Sequence, residues 1–370
     1  MTTTLRVVLD DAAPVGPVAE ASRELARGLV RTAPSGCEVS VLMPAGSDET
    51  IADVRDEVPG IARIDTAPLA RRELATSWQL GIAAGAGGGM IHAPSLMAPL
   101  VRHDRVYDHD QTVVTVWDLT PWEAPDELPR THVLWHRAML KRAVKHADAV
   151  VVPTHAHAEA LRVIAPKLGE RLRVVAGAPP AGFGVPADEV GRRRTQDLPA
   201  QYVLIDGSRQ AGLDVAFAAV VREGGDLSVV VTDVGDDAAA KVADAAAAAG
   251  LAESRVHVKG RLDTGDRAAA LAGAEAVLAP SSITDHPWTV VEALAVAAPV
   301  IAADSDVHRE VIAEGGLFVA ASADAFAEAL AQALGSDAAR ARLAVLAGDR
   351  GRAFSWLGAA ERVWQLHADL

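Results

Sequence analysis

The segment Pro280-Ser-Ser-Ile-Thr-Asp-His-Pro-Trp-Thr-Val-Val-Glu-Ala-Leu-Ala-Val-Ala-Ala-Pro-Val-Ile-Ala-Ala-Asp304 decides the fold class. The apolar run Ala276–Leu278 before it reads as a strand that ends at Pro280. A loop then leads to a helix over Thr289–Ala297, and Val300–Ile301 starts a further strand. Strand, loop, helix and strand in this order form the repeating unit of a parallel sheet. Free N–H groups at such a helix start can take an anion such as a diphosphate. Glu292, placed in the first helical turn, can accept hydrogen bonds from sugar hydroxyls. The same spacing equally suits an ordinary helix start whose acidic residue is favoured by the dipole, so both readings stand at this point.

Outward from that segment, short apolar runs alternate with longer stretches of helical period. The first half carries strands at Arg6–Leu9, Val39–Met43, Met90–His92, Val113–Val116, Ala149–Val152 and Arg173–Val175. Its helices are Val18–Val30, the basic amphipathic His132–His146, and Ala156–Val163 with Thr154 as N-cap. The Gly- and Pro-rich Gly177–Pro186 and the charged tract Asp188–Asp197 read as an inter-domain linker. The pattern then restarts with strands Tyr202–Ile205, Leu227–Val231 and Arg255–Val258 and helices Asp214–Val221, Asp236–Ala249, Asp266–Leu271 and Ala323–Leu334. In the closing stretch Trp356, Ala360, Val363, Trp364 and His367 share one helical face, too apolar to be a free tail. The expected architecture is α/β: two Rossmann-like domains, 1–187 and 188–352, separated by a cleft, with a helix at 353–370 crossing back to the first.

Composition narrows the function. The chain has 370 residues, half of them hydrophobic, which at ~100–200 residues per domain suits two domains with sizeable cores. The 35 basic residues comprise 5 Lys and 30 Arg, and the net charge is −14. Nucleic acid is therefore not an expected partner, and an anionic ligand needs a locally built site. The single cysteine, Cys37, at a strand start, excludes a disulfide framework or a multi-cysteine metal site. No apolar run approaches the ~20 residues of a membrane span, and the N-terminal sequence has no signal-peptide pattern. A cytoplasmic protein is expected, with the inner membrane face as an alternative setting.

Several features admit plain readings. Gly85–Gly89 precedes a strand rather than a helix and reads as a flexible loop, not a dinucleotide cradle. His155 and His157 have no acidic partner to complete a metal set and read as surface or capping residues. Arg137, Lys141, Arg142, Lys145 and His146 form a basic helix face, read as solvated, with peripheral contact to anionic lipid or a lipid-linked acceptor as the alternative. Trp117, Trp122 and Trp135 suit core packing, and the first two equally suit stacking on a sugar.

The opening segment resembles the donor-site signature of GT-B-fold, family-4 retaining glycosyltransferases, Pro-Ser-x-x-Glu-Gly-Phe-Gly-x-x-x-x-Glu-Ala-x-Ala-x-Gly-x-Pro-Val. Five further stretches match in family order over nearly the whole chain. Val113–Trp122 is similar to the family's "TVHDLTPW" loop, and Trp135–Arg142 with Ala147–His155 to its "WHR…ADAVVVPTHA" helix and strand. Arg255–Leu262, Glu314–Val319 and Phe354–Ala360 are similar to the remaining three. The resemblance implies transfer of a hexose- or mannose-like sugar from a nucleotide-sugar donor, with retention, to a glycan, lipid-linked or small-molecule acceptor. It implies no cofactor and no metal site, the nucleotide sugar being a substrate. The leaving diphosphate itself helps deprotonate the acceptor, so catalysis rests on positioning and electrostatics.

By the same resemblance, Glu292 holds the nucleotide ribose, while Gly207, Arg209 and the Trp288–Thr289 backbone hold the diphosphate, with Arg261 as a second cation. Thr284, Asp285, Trp117 and Asp118 line the sugar pocket; Gly16 and His92 lie on the acceptor side. Three positions depart from the family. Thr284 replaces the first of its two glutamates, and Trp117 replaces a histidine that approaches the sugar. The clamp "G-x-x-x-x-R-K-G" is shortened to Gly207-Ser-Arg-Gln-Ala-Gly212, with Ala211 at the lysine position. These changes suit a divergent transferase and also a non-catalytic paralogue that binds nucleotide or glycan or serves a partner enzyme. A nucleotide-sugar epimerase on the same fold is disfavoured by the family-4 order of the matches.

Overall fold

The computed structural model describes residues 2–10, 16–235 and 237–370. The chain forms two compact units: Met1–Ala178 with Thr284–His286 and Ser355–Leu370, and Pro179–Ile283 with Pro287–Phe354. Each is a Rossmann-like layer of parallel strands and helices.

In the first unit the order is β1 (Thr3–Val8), α1 (Pro17–Arg31), β2 (Cys37–Met43), α2 (Asp48–Glu57), β3 (Arg63–Thr66), α3 (Arg71–Leu80), β4 (Met90–Ala93) and β5 (Gln111–Thr115). There follow α4 (Thr120–Glu123), α5 (Arg130–His146), β6 (Ala149–Val152), α6 (His155–Ile164) and β7 (Leu172–Val174). The strands lie in the order β3-β2-β1-β4-β5-β6-β7, and every pairing is parallel. Helices cover both faces of such a sheet, so its strands are apolar on both sides. Ala149–Val152 is buried along its whole length. Ser47 and Thr154 accept from backbone amides three residues on and start α2 and α6.

The second unit begins with α7 (Glu189–Thr195), then β8 (Tyr202–Asp206), α8 (Leu213–Glu223), β9 (Ser228–Thr232), α9 (Ala239–Ala248), β10 (Val256–Val258) and α10 (Thr264–Ala272). It continues through β11 (Ala276–Ala279), α11 (Trp288–Ala295), β12 (Val300–Ala303), α12 (Asp306–Ile312), β13 (Leu317–Val319), α13 (Ala323–Leu334) and α14 (Asp337–Gly351). Its parallel sheet runs β10-β9-β8-β11-β12-β13. Each sheet thus reverses direction once, beside its first strand, and ligands bind outside the strand ends at such a point.

The last helix, α15 (Trp356–Asp369), returns to the first unit and packs on α1. Trp364 Nε1 donates to Leu29 O at 3.1 Å. His367 meets Gln111 Oε1 at 2.9 Å and His92 at 3.3 Å, so the helix is tied to β4 and β5 through polar groups as well as apolar ones.

Two expectations are corrected. The tract Asp188–Asp197, read as linker, contains α7, which packs on α10; Arg192 Nη1 donates to Asp266 Oδ1 at 2.9 Å, and Gln196 Nε2 donates to Asp266 Oδ2 at 2.6 Å. Its charges serve ion pairs with a neighbouring helix, where composition alone suggested solvent. The helix expected from Asp236 starts at Ala239, and Asp236 itself lies outside the described residues.

Candidate functional site

In the second unit the polar groups gather where β8 and β9 end. Asp206 closes β8; its Oδ1 accepts from Ser208 N at 2.8 Å and its Oδ2 from Thr289 Oγ1 at 2.8 Å. The second bond links the β8 loop to the start of α11, on the two sides of the switch point between β8 and β11. The residue before α11, Pro287, has no capping side chain. The first amides of a helix carry a partial positive charge, and those of α11 lie at the end of the sheet.

Glu292 lies beyond the first turn of α11, one residue later than expected because the helix begins at Trp288. It is buried against α10. Arg267 Nη2 donates to Glu292 Oε1 at 2.9 Å and Arg267 Nε to Oε2 at 3.2 Å, a bidentate pair. Arg267 Nη1 also donates to Leu262 O at 3.3 Å, and its guanidinium stands 5.9 Å over the Phe183 ring. Thr232, Asp233, Arg267, Thr289 and Glu292, with the apolar Leu204, Ala270 and Leu271, line a small recess. Burial and the nearby Asp206 charge raise the Asp233 pKa, against the opposing pull of Arg261 and Arg267.

The proposed phosphate cations differ in setting. Arg261 Nη1 pairs with Asp233 Oδ1 at 2.9 Å, so its charge is matched inside the unit, where it was expected to be available to a diphosphate. Arg209 is half-buried in the β8–α8 loop, and Trp288 is half-buried at the start of α11. Gly207 is buried for packing. A Cβ there would lie 2.5 Å from Val231 Cγ1 and Val234 Cγ2 and 3.0 Å from Thr232 O. Gly207→Ala is expected to destabilise the second unit by ~1–3 kcal/mol through overpacking. A urea-unfolding midpoint that does not move would count against this close contact.

In the first unit the segment 284–286 is pinned to the loop after β5. Leu119 N donates to Thr284 O at 2.9 Å and His286 N to Trp117 O at 3.0 Å, with Asp118 and Asp285 paired between them as an antiparallel bridge. Thr284 N donates to Glu123 Oε2 at 2.8 Å. The four residues assigned to a sugar pocket are thus neighbours, although two of them have local duties. Trp117 is buried and its Nε1 donates to Pro94 O at 2.7 Å. Asp118 Oδ1 accepts from Thr120 N at 2.7 Å and Thr120 Oγ1 at 2.5 Å.

Two histidines of the first unit lie buried beside Trp117. His286 is buried beside Trp117, ring centroids 5.4 Å apart, and burial, reinforced by His157, pushes its pKa down to about 3. His157, read as surface or capping, is fully buried; its Nε2 lies 3.2 Å from Trp117 O and its Nδ1 2.7 Å from Thr154 Oγ1. Nε2–H donating to the carbonyl and Nδ1 accepting from the hydroxyl satisfy both nitrogens of the His157 ring. His92, placed on the acceptor side, is also fully buried and faces α15, because its position on the central strand β4 points it into the sheet layer. Gly16 precedes α1 with φ 97°, a conformation that favours glycine, and open space surrounds its Cβ position. Trp122 and Trp135 pack against the core. Among the described residues no group of three or more His, Cys, Asp or Glu is placed to hold a metal. No helix among them is long and apolar enough to cross a membrane.

Residues 209–336, which contain α8 to α13 and the recess, match the family model for glycosyl transferases of group 1. No curated protein matches the chain. Among solved structures, Anabaena Alr3699/HepE in complex with UDP and glucose is similar over all of both chains, with TM-score 0.73 and 14% identity. Sucrose-phosphate synthase from Thermosynechococcus elongatus aligns over 99% of this chain and 98% of its own, with TM-score 0.72 and 18% identity. WaaG, a glycosyltransferase involved in lipopolysaccharide biosynthesis, aligns over 97% and 98%, with TM-score 0.65 and 15% identity. The resemblance to group 1 glycosyltransferases is borne out at the level of the family match, and the fold is the two-Rossmann-domain GT-B fold.

Proposed function

We propose that the protein is a glycosyltransferase that moves a sugar from a nucleotide-sugar donor to a glycan, lipid-linked or small-molecule acceptor with retention of configuration. The observation that carries this reading is the coincidence of the group 1 match at 209–336 with the recess at the ends of β8 and β9. UDP and UDP-glucose are bound by the HepE structures that share the fold, which supports a nucleotide-sugar donor here.

In this reading Glu292, held by Arg267, presents its carboxylate edge to the ribose. The start of α11 at Trp288–Thr289 and Arg209 receive the diphosphate, and Thr284, Asp285 and Asp118 border the sugar. The departing diphosphate is the base for the acceptor hydroxyl, and the chain's own groups bind, orient and balance charge.

A thermal-shift panel of nucleotides and nucleotide sugars tests the reading. A bound nucleotide at a hundred times its Kd stabilises by ~2.7 kcal/mol. Glu292→Gln, which keeps the volume and a hydrogen-bonding edge toward Arg267, is expected to remove that shift. No shift with any nucleotide at millimolar concentration sinks the donor site. Slow donor hydrolysis without acceptor then separates enzyme from binder. One observation favours a second reading, a non-catalytic nucleotide- or glycan-binding partner protein: the single donor of the Trp117 indole is committed to Pro94 O.

A further inference from the structure

Four large apolar side chains of the first unit stand in solvent on two stretches: Leu80 is 70% exposed, Ile82 60%, Val106 70% and Tyr107 83%. Leu80 and Ile82 flank Gly81 where α3 ends, and Val106 and Tyr107 sit in the loop between β4 and β5. Both stretches are fastened to the end of α5. The space a Cβ at Gly81 would fill is taken by Arg142 Nη2, 2.7 Å away, and Arg142 also donates to Leu100 O. His103 Nε2 meets Asp148 Oδ2 at 2.7 Å, just past α5. Asp104 Oδ1 accepts from the amides of Val106 and Tyr107, each at 2.9 Å, which fixes the turn that presents them.

The same segments expose Arg102, Arg105, Lys141 and Lys145, while Asp108 is the only exposed acid within residues 100–110 and 141–148. This local excess of cations stands out in a chain of net charge −14. The face also has a defined place. α3 leads into β4, the loop into β5 and α5 into β6, so all three lie at the edge where the parallel strands start. Trp117 and residues 284–286 lie where β5 ends, at the opposite edge.

We infer that this edge docks on an anionic phospholipid surface. Leu80, Ile82, Val106 and Tyr107 enter the headgroup boundary, and Arg102, Arg105, Lys141 and Lys145 meet lipid phosphates. Apolar tips ringed by cations are what an interfacial contact requires. A two-fold contact with a second copy would set the four cations against their own counterparts. Each basic residue at an anionic surface contributes roughly fivefold in binding, and the overall acidity makes the contact local and sensitive to salt. The inference does not depend on the transferase reading.

Flotation of the full chain with vesicles tests it. Binding is expected to phosphatidylcholine vesicles containing phosphatidylglycerol, not to pure phosphatidylcholine, and to fall at high salt. Two paired variants, Val106→Ser with Tyr107→Ser and Lys141→Glu with Lys145→Glu, each change exposed side chains and should keep the wild-type melting temperature. Each pair should lower partitioning at least tenfold. Wild-type protein that fails to float with anionic vesicles overturns the inference, as do equal binding to both vesicle types and variants that float like wild type. Concentration-dependent sedimentation abolished by the same pairs, without flotation, assigns the face to a protein contact and also overturns it.

Discussion

Arg267→Met is expected to destabilise the second unit by ~3–5 kcal/mol, because it leaves the Glu292 carboxylate buried without its bidentate partner. The side chains are 7% and 12% exposed, so solvent screens the pair weakly. Glu292→Leu should lose a similar amount, since it strands the guanidinium. The double change Arg267→Met with Glu292→Leu removes both charges and should recover most of the loss, as replacing a buried pair by apolar groups often does. Urea unfolding of the four proteins, followed through the second unit's transition, measures the coupling. Near-additive losses would show that the pair is not the unit in which these charges act. The same set qualifies any binding result: a nucleotide response lost in Glu292→Leu is interpretable only beside Glu292→Gln, which leaves Arg267 hydrogen-bonded.

That pair marks where sequence reasoning stopped. Glu292 was legible because it sits at a fixed offset in the opening segment, eight residues after Thr284. Arg267 was not, since an arginine inside a short amphipathic helix reads as a solvated face; only the packing of α10 on α11 turns it inward. Asp206 was passed over likewise, although it directly precedes Gly207. Its importance comes from Thr289, a neighbour supplied by the sheet order β8-β11.

The fold was easier to read than the site. Buried parallel strands such as Ala149–Val152 and Tyr202–Ile205 are continuous apolar runs, and Val39–Met43 is interrupted only by Ser40, so they are visible without neighbours. Elements at the margins left no such trace. Arg63–Thr66 is an edge strand with no buried residue, and α2 buries Val54 alone, so the stretch between Met43 and Met90 carried no clear period. α14 was missed for a similar reason: it buries only Leu343, Ala347 and Gly351. The histidines show the complementary failure. His92 and His157 are polar letters at core positions, and their roles depend on His367 and Trp117, which are remote in sequence.

Those histidines make the first unit acid-sensitive. Burial holds the pKa of four histidines of this unit below 6.5: His286 at about 3, His367 at about 4, His136 at about 4 with the His132 charge adding to the effect, and His92 well down, with the His367 charge adding likewise. Asp148 acts the other way on His367, raising its pKa. Depressed folded values mean that, between them and the unfolded value, the unfolded chain binds more protons, so stability falls as pH falls. Four rings protonated only on unfolding give a slope on the order of 5 kcal/mol per pH unit near pH ~5.5. The loss should therefore begin below pH ~6.5, well above the range in which ordinary carboxylates titrate. Melting curves of the first unit between neutral pH and pH ~5 test this. His92→Leu with His367→Leu removes two of the four rings and should reduce the slope to about half. An unchanged slope in that variant would place the proton uptake elsewhere. A flat profile down to pH ~5 would mean that these rings stay protonatable in the folded protein. The His92–His367 contact also joins β4 to α15, so acid should loosen the returning helix together with the sheet it covers.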